Sequence, residues 1–189
     1  ADNIDRAIKK GTGELPGVVY EEVMYEAYGP AGVGMLIQIV TDNRNRAASD
    51  VRSTLERRGA KLANAGAVSY QFQKMGLITV DKATTTEDTI FMTVTEAGAE
   101  DMKTLADTYE IISPVEAFED VKKALETAGI KTTSAELTML PAATVKVTVE
   151  KEAASLLKLL EAIEDLDDVQ NVYSNFDMDE ALMQKVAAE

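Results

Sequence analysis

Apolar and polar positions change their period several times along the chain, and each change marks an element. In ADNIDRAIKKGTG (residues 1–13), Ile4 and Ile8 stand four apart before a glycine stop at Gly11, which predicts a helix. One short amphipathic helix cannot bury itself, so it is either the end of a longer helical unit or a piece that packs on a partner. GVVYEEVMYEAYG is rich in Val and Tyr and predicts a strand, with GPAGVG as the turn after it. MLIQIV is apolar on both faces, as a central strand is. From Asn45 to Arg58, Ala47, Ala48, Val51 and Leu55 mark one face of a helix that stops at Gly59. AVSYQF, with Val68, Tyr70 and Phe72 alternating, predicts another strand.

A new unit is expected at Gly76. GLITV predicts a strand, and EDTIFMTVTEAGA a helix despite its Thr and Val content. MKTLAD and TYEIIS predict two short strands. Pro114 opens the helix PVEAFEDVKKALETAG, striped by Val115, Phe118, Val121 and Leu125, and AELTML is a strand. Their order, β-α-β-β-α-β, is the ferredoxin-like split β-α-β. TVKVTV, the helix KEAASLLKLLEAIEDL (Ala154, Leu157, Leu160 and Ile163 at core spacing) and VQNVYSNF then complete a second such order begun before Gly76, with one extra strand in front. The expected class is α+β: a helical N-terminal remnant (1–14) and two ferredoxin-like sandwiches, one (76–141) inserted in the other (15–75 and 142–180). Residues 181–189 are expected to form a tail.

Composition narrows the chemistry. Cysteine and histidine are both absent, which removes disulfides, thiol chemistry, histidine bases and most zinc sites. No run of about 18 apolar residues is present to span a membrane. An enzyme would rest on carboxylates or lysine, and no paired constellation of them is visible, so a non-enzymatic protein with no cofactor and no metal is expected. The net charge of −14 opposes nonspecific attraction of the whole chain to nucleic acid. The charge is divided, however. Bases roughly balance acids up to Lys74, and all six arginines (Arg6, Arg44, Arg46, Arg52, Arg57 and Arg58) lie in the first third. A polyanion would bind there.

The segment TDNRNR (Thr41 to Arg46) lies between a strand and a helix. Asp42 or Asn43 suits the N-cap. Arg44 and Arg46 would then stand in the first turn, at the positive end of the macrodipole, where cations cost a few tenths of a kcal/mol each. Free N–H groups and two arginines make an anion site of that turn. Arg57 and Arg58, at the helix C-terminus, are better explained by the dipole. The acidic run EAIEDLDDVQ lacks the spacing and glycine of an EF-hand. The topology brings its Glu161, Glu164, Asp165, Asp167 and Asp168 toward Arg57 and Arg58, so an ion-pair cluster is expected. Tyr20, Tyr25 and Tyr28 either stack on bases or pack within the sheet. KKGTGE and GPAGVG lack the context of phosphate-binding loops.

Together NIDRAIKKGTG, YEEVMYEAYGPAGVG, TDNRNRAASDVR, SYQFQKMGLITV, EAGAED and EDLDDVQNVYSNF resemble the YebC/PmpR family over nearly the whole chain. The resemblance implies an N-terminal helical bundle followed by two α/β domains, the third inserted in the second, with most of the first domain missing here. It implies a transcriptional regulator that binds DNA, or alternatively a ribosome-associated translation factor that contacts rRNA and relieves stalls. The expected partner is nucleic acid, with no membrane partner. The expected compartment is the cytoplasm, or the mitochondrial matrix in a eukaryote. The candidate contacts carried over are Arg6, Lys9 and Lys10 at the basic end of the first domain, and Asn43, Arg44, Asn45 and Arg46 in DNRNR. Two departures concern loops: Ala31 stands where a second glycine is usual, and RRGAKLANAGAVSY replaces a more glycine-rich segment.

Overall fold

The structure, a computed structural model, describes residues 18–188. The elements run β1 (Glu21–Tyr28), β2 (Gly34–Thr41), α1 (Arg44–Arg57), β3 (Lys61–Ala63), β4 (Phe72–Asp81), α2 (Glu87–Glu96), β5 (Asp101–Thr104), β6 (Thr108–Ser113), α3 (Phe118–Thr127), β7 (Thr132–Pro141), β8 (Val145–Lys146), α4 (Glu150–Glu164), β9 (Val169–Ser174), β10 (Phe176–Asp177) and α5 (Glu180–Ala187). They form two compact units: the described residues up to 71 together with those from 141 onward, and residues 72–140. The class is α+β, and the second unit is continuous and lies within the first in sequence. It begins at Phe72, four residues before the expected Gly76, because β4 already pairs in its sheet from its first residues onward.

In the first unit a four-stranded sheet has the order β3-β1-β2-β9, and β8 pairs with β10 in parallel. Strand periodicity puts Tyr25 and Ala27 of β1 and Met35, Ile37 and Ile39 of β2 on one face. They join Ala47, Val51 and Leu55 of α1 and Ala153, Leu156, Leu159 and Ile163 of α4 in one core. Each fully buried Val, Leu, Ile or Met side chain among them contributes about 1.5–3 kcal/mol. Ile163 is buried as expected, but the other three positions of the α4 stripe lie one residue earlier, at Ala153, Leu156 and Leu159, while Ala154, Leu157 and Leu160 flank it.

Three strand expectations change. AVSYQF is not a strand: Ser69–Gln71 is a 3-10 turn, Tyr70 is 76% exposed, and pairing starts at Phe72. The N–H groups of Val68 and Ser69 are taken by the carboxylate of Glu26, which leaves no ladder for them to join. The short β3 takes its place at the sheet edge, and β1, expected as an extra strand in front, lies between β3 and β2. TVKVTV contributes only the two residues of β8. Residues 180–187, expected as tail, form α5, whose Val186 is buried and whose Lys185 pairs with Glu150 of α4 at 2.6 Å.

The second unit follows the split β-α-β plan directly, with sheet order β5-β6-β4-β7. Ile78, Val80, Tyr109 and Ile111 from the sheet pack with Ile90 and Val94 of α2 and Phe118, Val121 and Leu125 of α3. Val115, expected in the α3 stripe, sits instead in a 3-10 turn and is exposed. Gly76 is required by crowding: a Cβ there would lie 2.4 Å from Phe118 Cδ2 and 2.5 Å from Ser113 Oγ.

Candidate nucleic-acid interface

The junction of β2 and α1 holds the segment TDNRNR. Asn43 is the N-cap; its side-chain oxygen accepts from the Arg46 N–H at 3.0 Å. The Asn43 N–H in turn donates to Thr41 Oγ1 at 2.9 Å. Arg44 and Asn45 are the first two helical residues, and the first turn carries no acid. Their N–H groups are of the kind a helix start leaves unsatisfied. Asn43, Arg44, Asn45 and Arg46 are all exposed, and Ala47 and Val51 turn inward to the core.

The two arginines have different surroundings. Arg46 donates to Asp42 Oδ1 at 2.8 Å and to Asp168 Oδ2 at 3.1 Å. Asp168, 9% exposed, also accepts from the Thr41 hydroxyl at 3.1 Å, and its carbonyl accepts from the Val40 N–H at 3.0 Å. Hydrogen bonds donated to Asp168 and then to Asp42 raise the Arg46 pKa further, so the guanidinium stays charged at every accessible pH. Arg46 therefore joins the start of α1 to the connection between α4 and β9. Arg44 has one carboxylate, Glu21, at 3.8 Å, and its side chain is 62% exposed. A pair that open and that long contributes little.

Beside the junction is an acidic cleft of about 520 Å³, lined by Asp42, Asp50, Asp165, Asp167 and Asp168, with Arg46, Tyr20 and Leu166. Among the described residues that line it, five carboxylates and one guanidinium give the cleft an acidic lining, which disfavours phosphate. Arg57 and Arg58 do meet the acidic run: with Lys158, Glu161 and Asp165 they line a groove of about 370 Å³. The expected ion-pair cluster is not formed, however. No ion pair within 4 Å joins those arginines to the run among the described residues, and Asp168 pairs with Arg46 instead. Arg57 Nε donates to the Ser53 carbonyl at 3.1 Å, closing the last turn of α1. Among the described residues no group of three or more carboxylates is arranged to hold a metal ion. None of the helices described is long and apolar enough to cross a membrane.

The other face of the same sheet contains a group that local sequence gives no sign of. The Glu26 carboxylate accepts backbone N–H groups from Gly66 (2.5 Å), Val68 (2.8 Å) and Ser69 (2.6 Å). Burial pushes its pKa up, but the N–H donors of Val68, Ser69 and Gly66 outweigh it and hold the carboxyl below its ordinary value. Tyr28 OH donates to the Ala67 carbonyl at 2.8 Å. Asn175, also buried, accepts from the Gly34 N–H and donates to Gln71, both at 2.8 Å. These partners lie about 40 to 140 positions away in sequence, so no short pattern announces them. Of the candidate tyrosines, Tyr25 packs on the core, Tyr28 is held as described, and Tyr20 lines the acidic cleft. Arg6, Lys9 and Lys10 lie outside the described residues.

Fold and site together define a class: an α+β protein of two split β-α-β units, one inserted in the other, whose arginine-bearing junction is fastened to its own acidic run. Residues 20–176 match the family described as TACO1/YebC second and third domain. The chain belongs to that family. It is 50% identical to the probable transcriptional regulatory protein DP2908 of Desulfotalea psychrophila over 186 residues, covering 98% of this chain and 74% of that protein. The probable transcriptional regulatory protein GSU1074 of Geobacter sulfurreducens is 50% identical over 185 residues, with the same coverage. The crystal structure of the conserved hypothetical protein Aq1575 from Aquifex aeolicus superposes with a TM-score of 0.80 at 41% identity, over 95% of this chain and 74% of that one.

Proposed function

We propose that the protein is a non-enzymatic regulator of gene expression, a transcriptional regulator that binds DNA, acting in the cytoplasm or, in a eukaryote, the mitochondrial matrix. The names of its relatives support the regulatory role. The observation that carries nucleic-acid contact is the start of α1: an exposed Arg44 in a first helical turn that holds no acid. Arg44 and Asn45 contact phosphate directly. Asn43 caps the helix, and Arg46 positions the segment through Asp42 and Asp168. Arg6, Lys9 and Lys10 supply further positive charge. The test is a gel shift with promoter DNA across salt concentrations. Arg44→Glu should weaken binding about tenfold and lower the salt slope by about one, the signature of one lost phosphate contact. Absence of any shift at low salt overturns the DNA reading.

The acidic cleft favours a second reading, a translation factor on the ribosome that contacts rRNA. A duplex wrapped around α1 would meet Asp42, Asp50 and Asp165, whereas an rRNA surface can touch Arg44 alone. Co-sedimentation with ribosomes that Arg44→Glu abolishes supports this reading. Co-sedimentation unchanged by Arg44→Glu removes the segment from the ribosomal interface.

A further inference from the structure

In the second unit α2 carries two adjacent large apolar side chains in solvent, Phe91 at 53% and Met92 at 63% exposure, while its Ile90 and Val94 fill the core. Residues three and four apart share a helix face, so Glu87 and Asp88 lie one turn before this pair and Glu96 one turn after it. A third exposed apolar residue is held nearby. Thr104 Oγ1 donates to Glu87 Oε1 at 3.1 Å, which fixes the turn carrying Leu105, 44% exposed, against the first turn of α2. Lys82 donates to the Leu105 carbonyl at 3.0 Å and stands over the Tyr109 ring, so this base is occupied with holding the turn.

We propose that this apolar patch with its rim of carboxylates docks a cationic amphipathic segment of a partner protein. The charge is the reason for that occupant. Glu87, Asp88 and Glu96 repel phosphate and would repel a second copy of the same face. They pair with lysine or arginine on a segment whose apolar side covers Phe91 and Met92. The site is distinct from the α1 interface and does not depend on nucleic-acid binding.

The probe is a labelled synthetic amphipathic helix of lysine and leucine, followed by fluorescence anisotropy with the full protein. It should bind saturably and move the NMR signal of the Met92 methyl. Phe91→Ala with Met92→Ala, both outside the core, should weaken it about tenfold or more, as loss of a central apolar anchor does. Glu87→Gln, Asp88→Asn and Glu96→Gln together should also weaken it. Neutralising Glu116, Glu119 and Glu126, around and on α3, should leave it within about twofold, since the net charge changes equally but the face does not. Equal loss from both acidic sets, binding unaffected by the apolar pair, an equally strong glutamate–leucine helix, or displacement by single-stranded RNA overturns the proposal.

Discussion

Ala31 has φ 59°, in the left-handed region, within the turn that joins β1 to β2. A side chain there costs about 1–2 kcal/mol, offset partly by the entropy a glycine would lose on folding. Ala31→Gly should therefore stabilise the protein by about 0.5–1 kcal/mol, read as a higher urea midpoint. Gly76→Ala should do the reverse, by about 1–3 kcal/mol, because its Cβ overlaps Phe118 and Ser113. Glu26 gives a pH-dependent prediction. Its folded pKa lies below its unfolded one. The stabilisation is thus complete above the unfolded carboxyl pKa of about 4.3 and is lost as pH falls through the lower folded value. Glu26→Gln should cost about 1.5–3 kcal/mol at neutral pH, and its difference from wild type should shrink on acidification below about pH 4.3. A difference independent of pH between 7 and 3 would remove the carboxylate's charge from the account.

At the scale of elements, Arg46 and Asp168 join the β2–α1 junction to the α4–β9 connection, two of the segments that carry the family resemblance. A double-mutant cycle with Arg46→Ala and Asp168→Asn should give a small favourable coupling, modest because the arginine is half exposed. Asp168→Asn alone should cost more than Arg46→Ala, because the buried Asp168 carboxylate also serves Thr41. Most elements were legible because their signals are local. Periodicity located α1, α3 and β6 to within a few residues, and the run MLIQIV, apolar on both faces, marked β2 as the core strand. Misread segments were those decided by distant partners. Val68 and Tyr70 alternate like a strand, yet a glutamate about 40 positions earlier claims the backbone. The junction at TDNRNR was visible as an anomaly of charge. Its cause in Asp168 was not, because 122 positions separate the pair.

Across the whole molecule the net charge of −14 means that contact with a polyanion must be local. The two arginines of the α1 start differ in surroundings: the Arg44 side chain is largely exposed, and Arg46 is held by carboxylates of the protein itself. The direct test is nucleic-acid affinity of the full protein against salt for Arg44→Glu and Arg46→Ala, with urea midpoints measured alongside. Arg44→Glu should lose about tenfold in affinity and about one unit of salt slope with an unchanged midpoint. Arg46→Ala should lower the midpoint and leave the salt slope intact. An Arg44→Glu protein that binds like wild type at every salt concentration, or an Arg46→Ala protein that loses slope without losing stability, would contradict this division.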